Sequence, residues 1–453
     1  MKQGAKSLIV IALWIVGIGL IAPYLAEELS YFGEKSVDPE LLATFLSISF
    51  ICVLSFISFY LSFGKAVPSF VLALFLGIAA RPLLLPIVEN LTTLAAIVSL
   101  GATLILFQGG LETSFKEFRR LFVKIALLAF PGVLLSALIF SFVIQGTGTI
   151  FEMQIPITVA VLLGALLAST DPAAIIPLFQ GLKFKKSDTK DIVISESALN
   201  DVVGALLTLA LVAAAFKGAF GSISTGYSTL FNTESGTLLI LQIVFGVMSG
   251  VGGFLLLKYF SRHKRGHGFE HGADAAFFIF VPVIAFAGAL AFGGSGYLAA
   301  FIAGLIFRLE EHLKKTEHFY SDVIDGFAKP AIFLLLGALV ELPTLLNYAF
   351  VGIVVALVFM FIIRPLTVFL MLGIFAFSKK NPLSLQELLF ISFVRETGAI
   401  PAVLLVTLVA LGLPNIEALV PIGMWVILIT LAVEPPLTPY IAKRLGVAEP
   451  VSA

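Results

Sequence analysis

The chain has 453 residues, of which 59% are hydrophobic and 12% are charged. Lys and Arg number 28, and Asp and Glu also number 28, so the formal net charge is zero. Soluble domains carry about 25% charged residues and nucleic-acid binders need a basic face, so the composition excludes both classes. A single cysteine, Cys52, excludes an internal disulfide and a cysteine metal site. The long, continuous apolar runs predict an all-α polytopic membrane protein, because barrel strands would alternate.

Fourteen apolar runs approach the length of about 20 residues that a transmembrane helix needs. The predicted spans cover residues 7–25, 41–63, 67–88, 91–111, 120–146, 155–180, 190–216, 236–260, 273–291, 295–309, 323–341, 347–377, 386–411 and 417–441. The connections between them are short, which leaves no room for a soluble catalytic domain.

The charges between the spans give the orientation. The connections on one side of the membrane hold nearly all of the Lys and Arg residues that lie between the spans. The connections on the other side hold only Lys35, Arg81 and Lys217. Because basic residues stay on the cytoplasmic side, both termini are predicted to be cytoplasmic. Residues 1–26 begin with basic residues as a signal peptide does, but their apolar part is about 19 residues long, so we expect a retained helix.

A polar sequence interrupts the predicted span at 155–180. Pro172 removes a backbone donor and disfavours helix at Asp171, while Thr170 and Asp171 add short polar side chains that can satisfy the freed backbone groups. A carboxylate at membrane depth costs about 3 kcal/mol on insertion scales, so such a residue marks a functional site. The sequence predicts a helix that is broken near mid-membrane, and a simple proline kink is the alternative.

A second polar cluster, Glu196, Ser197, Asn200 and Asp201, lies in the predicted span at 190–216. Glu196 and Asn200 are four residues apart, as are Ser197 and Asp201, so each pair shares a helix face. The cluster is rich in oxygen and lacks Cys and His, which favours a hard, weakly bound cation over a transition metal. The alternative is a polar seam that joins two helices.

The predicted span at 386–411 contains a third polar interruption. Gly398 and Pro401 weaken the helix, and Arg395 and Glu396 place charge beside the weak point. The sequence therefore predicts a second broken helix.

Arg364 lies at membrane depth in the preceding span, where an arginine requires a buried carboxylate partner. We expect that partner to be Glu196, which leaves Asp201 as the acid that is available for binding. Asp171 at the positive ends of half-helices and Arg395 near negative ends would compensate the helix dipoles.

The two breaks lie in spans 6 and 13, which are seven spans apart. An odd offset means that the two helices cross the membrane in opposite directions, as in inverted repeats. We expect an extra N-terminal transmembrane helix and extracellular loop at residues 1–40, followed by a first six-helix repeat at 41–216. A linker helix with a cytoplasmic loop at 217–272 leads to a second, inverted repeat at 273–441 and a short cytoplasmic tail at 442–453. Interrupted helices at corresponding positions predict a secondary transporter.

These motifs resemble those of the monovalent cation:proton antiporter family, first branch, of the sodium/proton exchanger type. The resemblance depends chiefly on two motifs, Ser169-Thr170-Asp171-Pro172 and Glu196-Ser197-x-x-Asn200-Asp201. The second motif begins about 25 residues after the first. Supporting matches are Phe107-Gln108-Gly109-Gly110-Leu111-Glu112, the segment from Gly296 to Gly304, and Gly398-Ala399-Ile400-Pro401.

The resemblance implies two inverted six-helix repeats, with crossed discontinuous helices in a mobile core domain and the other helices in a dimerisation domain. It implies that Asp201 binds either a proton or a cation, and that the site is completed by Asn200, Ser197, Asp171 and Thr170.

Two further roles follow from the resemblance. Glu196 and Arg364 would form a structural ion pair. Asn200, in place of a second acid, is the family mark of electroneutral exchange of one proton per cation.

The chain departs from the family pattern at the second break. Glu396 and Thr397 separate Arg395 from Gly398, where many relatives have Arg directly before Gly-Ala. Glu396 is therefore a candidate for a second titrating group. Arg395 is the candidate for helix-dipole compensation.

The sequence thus predicts an antiporter in the cell membrane that exchanges Na⁺ or Li⁺ for H⁺ by elevator-like alternating access. The expected partners are the lipid bilayer and a second copy of the chain, without nucleic acid, cofactor or any metal beyond the transported cation. A K⁺/H⁺ antiporter of the same fold stays open, as does a pH-regulated cation channel. Because no H-E-x-x-H or G-x-G-D motif is present, an enzyme of the intramembrane hydrolase class is rejected.

Overall fold

Helices make up nearly all of the computed structural model. It describes residues 2–33, 38–62, 68–170, 179, 181–218, 220–264, 272–307, 314–377, 382–394 and 396–450.

The first half of the chain is a series of long helices, interrupted after α8. Its elements are α1 Lys2–Gly33, α2 Pro39–Ser62, α3 Ser69–Ala79, α4 Arg81–Val88, α5 Leu91–Glu112, α6 Phe115–Leu127, α7 Val133–Ile150, α8 Ile157–Leu167, β1 Leu182–Phe184, α9 Ser187–Phe216 and α10 Ile223–Ser228.

The second half has the same character, with an interruption between α19 and α20. Its elements are α11 Thr233–Lys264, α12 Gly272–Ala291, α13 Gly296–Ile306, α14 Lys314–Val323, α15 Lys329–Ala338, α16 Leu342–Asn347, α17 Ala349–Val358, α18 Arg364–Leu372, α19 Leu385–Phe393, α20 Ala399–Ala410, α21 Leu419–Arg444 and β2 Ala448–Pro450.

Each span predicted from the sequence overlaps at least one of these helices. In the described part of the chain, eight helical segments are long and apolar enough to cross a membrane, and α3 with α4 forms a ninth that is bent by 89°. Four shorter apolar helices contribute to the remaining spans. The all-α polytopic fold class is therefore confirmed, whereas the number of fourteen crossings stays a prediction.

In the described part of the chain, three π-helical turns mark places where a proline enters a long helix. They cover Leu128–Gly132, which contains Pro131, and Ile324–Ala328 and Phe359–Ile363, which come just before Pro330 and Pro365. Proline has no backbone donor and its ring crowds the preceding turn, so a wider turn lets the helix continue. The turns before Pro330 and Pro365 also place Lys329 and Arg364 at the start of α15 and α18.

Two helix crossings depend on glycines that face each other's backbone. A Cβ on Gly110 of α5 would collide with the carbonyl of Phe301 in α13, and a Cβ on Gly304 would collide with the carbonyl of Phe107. Small residues allow membrane helices to approach this closely. A side chain at either glycine would therefore push α5 and α13 apart.

The second crossing has the same form. Gly77 of α3 faces the carbonyl of Leu334 in α15, and Gly337 faces the carbonyl of Leu74. These helices belong to predicted spans 3 and 11, whereas α5 and α13 belong to spans 4 and 10. Spans 3 and 11 become spans 10 and 4 when they are shifted by seven spans in opposite directions, and the inverted repeat itself stays a prediction.

A two-stranded antiparallel sheet closes one end of the bundle. β1 pairs with β2 so that Leu182 lies opposite Pro450 and Phe184 opposite Ala448. The backbone N–H of Lys185 also donates to the carbonyl of Val447. The chain that enters α9 is thereby joined to the segment that follows α21.

Helix contacts divide the bundle into two groups. In one group, which we call the scaffold, α5 packs on α13, α3 on α15, and α11 on both α12 and α13. In the other, which we call the core, α7 packs on α8, α8 on α9, and α17 on α21. Helix α20, which follows the second break, lies between the two groups, because it contacts α5 and α15 of the scaffold as well as α21 and α9 of the core.

Candidate functional site

The polar residues of α9 lie against the end of α8. The Ser197 hydroxyl donates to the Thr170 carbonyl over 2.9 Å, and the two hydroxyl oxygens are 3.3 Å apart. The Asn200 Nδ2 atom lies 3.5 Å from Thr170 Oγ1 and donates to Glu196 Oε1 over 3.1 Å. Thr170 follows the last turn of α8, whose regular structure ends where the sequence predicts a break. The structure therefore brings Ser197, Asn200, Glu196 and Thr170 together.

Asp201 is placed by contacts on either side of it. A Cβ on Gly204 would lie 2.5 Å from the Ser169 Cβ, so the helix face shared by Ser197 and Gly204 lies against the end of α8. Ala198 points toward the scaffold, where a Cβ on Gly109 of α5 would lie 3.9 Å from its own Cβ. On a helical projection Asp201 falls between these two directions. Its side chain, 5% exposed, thus lies beside the break and faces the boundary with the scaffold.

Glu196 and Arg364 are in contact across the two halves of the chain. The Arg364 Nη2 atom at the start of α18 lies 3.5 Å from Glu196 Oε2, and both side chains are buried. The Glu196 carboxylate thus faces Arg364 through one oxygen and Asn200 through the other. The expected contact is present, and the structural role of the pair stays a prediction.

The second break lies between α19 and α20. Glu396 and Thr397 are both fully buried there, and the Thr397 N–H donates to Thr430 Oγ1 of α21 over 3.2 Å. Thr430 thereby satisfies a backbone donor that has left the helical hydrogen-bond pattern. Glu434, also buried, lies one turn further along α21. Acidic groups therefore occur near both breaks.

Two residues of the predicted site, Asp171 and Arg395, lie outside the described residues. Their expected roles in ion binding and in helix-dipole compensation stay predictions.

The oxygen atoms of this site suit a hard cation. Asn200 Oδ1 is buried and accepts no hydrogen bond from any described residue. It adjoins the Asp201 carboxylate in sequence, and the Ser197 and Thr170 hydroxyls lie on the same side of α9. Oxygen ligands bind alkali and alkaline-earth cations in preference to thiophilic metals. The arrangement permits a monovalent cation or a proton to neutralise the carboxylate.

Among the described residues, the buried charged side chains of Lys329, Glu387 and Glu434 were not predicted from the sequence. They lie inside the predicted spans at 323–341, 386–411 and 417–441. A count of every ionisable residue within the predicted spans would have found them, since each such residue calls for a partner. The contact of Thr430 with Thr397 had no comparable signal in the sequence.

Comparison with known families gives a match over most of the chain. The family described as sodium/hydrogen exchanger, transmembrane, matches residues 48–444. The structure of the sodium proton antiporter MjNhaP1 from Methanocaldococcus jannaschii at pH 8 is similar, with a TM-score of 0.64 and 23% sequence identity over 94% of this chain and 99% of that chain. At this identity the similarity establishes the shared fold.

Curated relatives match over a shorter region. The K(+)/H(+) antiporter NhaP2 of Shewanella sp. strain MR-4 is 27% identical over 350 residues, which are 76% of this chain and 57% of the relative. The Na(+)/H(+) antiporter 1 of Methanocaldococcus jannaschii is 30% identical over 292 residues, which are 61% of this chain and 63% of the relative. The chain thus spans less than two thirds of the length of these relatives.

Proposed function

Because the chain belongs to the sodium/hydrogen exchanger transmembrane family, we propose that it is a secondary antiporter that exchanges a monovalent cation for H⁺. The family is one of transporters, and the protein is a multi-pass membrane protein. The observation that carries the proposal is the position of Asp201 beside a helix break, among the oxygens of Asn200, Ser197 and Thr170.

Competition for one carboxylate explains the coupling of the two fluxes. Ionised Asp201 would be costly to move through the membrane without a bound cation or proton, because burial penalises an uncompensated charge. A bound cation or a bound proton removes that cost, but the two compete for the same carboxylate and do not bind to it at the same time. The empty site therefore crosses slowly, and each crossing carries one ion or the other.

Na⁺ or Li⁺ is the proposed cation, and K⁺ is the second candidate. The relatives are named for both activities, Na(+)/H(+) antiport in Methanocaldococcus jannaschii and K(+)/H(+) antiport in Shewanella. Hydroxyl, amide and carboxylate oxygens bind all three ions, so the donor types alone do not separate them.

The proposed exchange is electroneutral. Asn200 carries no charge, and Glu196 is balanced by Arg364, which leaves Asp201 as the acid that alternates between ions. Glu396 at the second break is the candidate for a second titrating group. Arg395 is the candidate for helix-dipole compensation. A contribution from Glu396 would make the exchange depend on voltage.

We propose an elevator-like movement of the core against the scaffold, in a homodimer with both termini in the cytoplasm. The helix groups support this division, because the site lies in the core and faces the boundary with the scaffold. Asp171 and Thr170 on one break, with Ser197 on α9, complete the proposed cation site. A site at the boundary of two bodies is exposed to opposite sides of the membrane when one body shifts.

Liposomes that contain the purified protein and an internal pH dye test the proposal. Addition of Na⁺, Li⁺ or K⁺ to one side should shift the internal pH, and Asp201→Asn should abolish the response because the competing charge is gone. Asp38→Asn removes an exposed carboxylate far along the chain from the site and should retain the response of the unmodified protein.

The same liposomes with a clamped membrane potential test the stoichiometry. Exchange that does not change with voltage agrees with one proton per cation. Full exchange by Asp201→Asn would overturn the assignment of Asp201, and a cation conductance without proton movement would overturn antiport in favour of a channel.

A further inference from the structure

A partly buried polar network lies in the scaffold, apart from the cation site. It consists of Gln108 and Glu112 on α5, Asp325 in the π-helical turn before α15, and Lys329 on α15, and we call it the scaffold network. The Gln108 Nε2 atom donates to Glu112 Oε1 over 2.8 Å and to Asp325 Oδ1 over 3.3 Å. The Lys329 ammonium donates to the same Asp325 oxygen over 2.7 Å. One amide thus links two carboxylates, one of which is paired with an ammonium.

The scaffold network runs from the interior toward water. Gln108 is 1% exposed and the Lys329 side chain 4% exposed, whereas the Asp325 side chain is 46% exposed. The Gln108 Oε1 atom is buried and accepts no hydrogen bond from any described residue. Two carboxylates and this carbonyl oxygen therefore form an oxygen-rich group in which Lys329 supplies the only positive charge among the four residues.

The scaffold network adjoins the helix that carries Asp201. Gly109 follows Gln108 on α5 and faces Ala198 of α9, one turn before Asp201. The two helices that carry the network, α5 and α15, are also the scaffold helices that contact α20 beside the second break. Glu112 ends α5 on the side that the distribution of basic residues predicts to be cytoplasmic.

We propose that Lys329 tunes the affinity for the cation that approaches Asp201 from the cytoplasmic side. The ammonium, at the end of a tethered side chain, occupies the kind of position that a monovalent cation would take beside the Asp325 carboxylate. The Lys329 ammonium repels a cation that approaches Asp201, whereas the Asp325 carboxylate attracts that cation. This inference rests on the proposed antiport, and it makes Lys329 a residue that acts through the local potential, without contact with the cation at Asp201.

The two charges of the pair should therefore act in opposite directions. Removal of the ammonium makes the approach to the site more negative, and removal of the Asp325 carboxylate makes it more positive. At an effective dielectric constant of about 20, a unit charge about 12 to 25 Å from a cation changes its binding constant by about tenfold to threefold. A residue with a purely structural role would impair exchange in the same direction whichever partner was lost.

The test uses the unmodified protein, Lys329→Gln and Asp325→Asn in the same liposomes with Na⁺, Li⁺ and K⁺ chloride as probes. Lys329→Gln should lower the cation concentration for half-maximal exchange about threefold or more, and Asp325→Asn should raise it by a similar factor, with maximal rates close to that of the unmodified protein. Lys329→Arg keeps the charge and should keep the half-maximal concentration. Elution at the same volume on size exclusion verifies folding of each variant.

Failure of this inference differs from failure of the proposed function. If the unmodified protein exchanges cations but the two variants leave the half-maximal concentration unchanged, or move it in the same direction, the role of Lys329 is wrong and antiport stands. If the unmodified protein exchanges none of the three cations, the proposed function is wrong and the inference falls with it.

Discussion

The core and the scaffold are held together by different kinds of contact. Around the candidate site in the core, side chains carry the contacts. Hydrogen bonds link Thr170, Ser197, Asn200 and Glu196, and Arg364 joins them from the other half of the chain. In the scaffold, backbones meet directly at reciprocal glycines, and aromatic rings fill the space beside them. Phe70 of α3 stacks on Phe333 of α15, for example, with ring centroids 5.3 Å apart.

The difference follows from the state of the helices. A broken helix exposes N–H and C=O groups that need partners in a medium without water, and side-chain donors and acceptors supply them. Within a regular helical segment these groups bond to one another, so the scaffold helices that cross at reciprocal glycines gain most from close packing. The core should therefore be sensitive to the loss of charge and of hydrogen bonds, and the scaffold to the gain of volume.

The largest effect is expected from the loss of one partner of the buried ion pair in the core. Glu196→Gln or Arg364→Met should each lower the unfolding free energy by about 3–5 kcal/mol, because the remaining buried charge loses the opposite charge of this contact. The double variant should be destabilised by less than the sum, since it leaves neither charge. SDS titration in mixed micelles measures these values, and strictly additive losses would show that the 3.5 Å contact carries no coupling.

A smaller effect is expected from added volume at a scaffold crossing. Gly304→Ala should destabilise the protein by about 1–3 kcal/mol, because the new methyl group meets the carbonyl of Phe107. The matched control is Gly252→Ala in α11, where no atom of the described structure lies within 4 Å of the new methyl group. This control should be neutral or slightly stabilising, since alanine favours helix. Equal tolerance at the two positions would contradict the close crossing of α5 and α13.

The smallest effect concerns one hydrogen bond at the second break. Thr430→Val keeps the shape of the side chain but removes the acceptor of the Thr397 N–H, and should cost about 0.6–1 kcal/mol of unfolding free energy. Thr208→Val is the matched control, because the Thr208 hydroxyl is equally buried and has no hydrogen-bond partner among the described residues. A loss at Thr208 as large as that at Thr430 would show that the bond to Thr397 is not what stabilises this region.

Much of the core could be predicted from the sequence, because the signals there are local. Pro172 after a polar run indicates a break, and the spacing of Glu196 and Asn200 places them on one helix face. The contact between Glu196 and Arg364 followed from the cost of an unbalanced arginine in the membrane. The helices themselves followed from the length of the apolar runs.

The remaining contacts depend on how distant helices cross, which a local pattern does not contain. Gln108 meets Asp325 because reciprocal glycines bring α5 against α13 and α3 against α15 within one scaffold. Thr430 meets Thr397 because of the path that an unwound segment takes, and periodicity arguments apply only to regular helices. The direction of Asp201, between the break and the scaffold, likewise required the packed helices.

The pairing of β1 with β2 constrains the order in which the protein matures during synthesis. The ribosome makes Leu182 to Phe184 long before Ala448 to Pro450, so this strand has to wait for its partner until the second half of the chain has been inserted. Contacts of such high sequence separation form late, because a long loop must close first. The segment that leads into α9 is therefore among the last to reach its final state, because its partner strand is made only after α21.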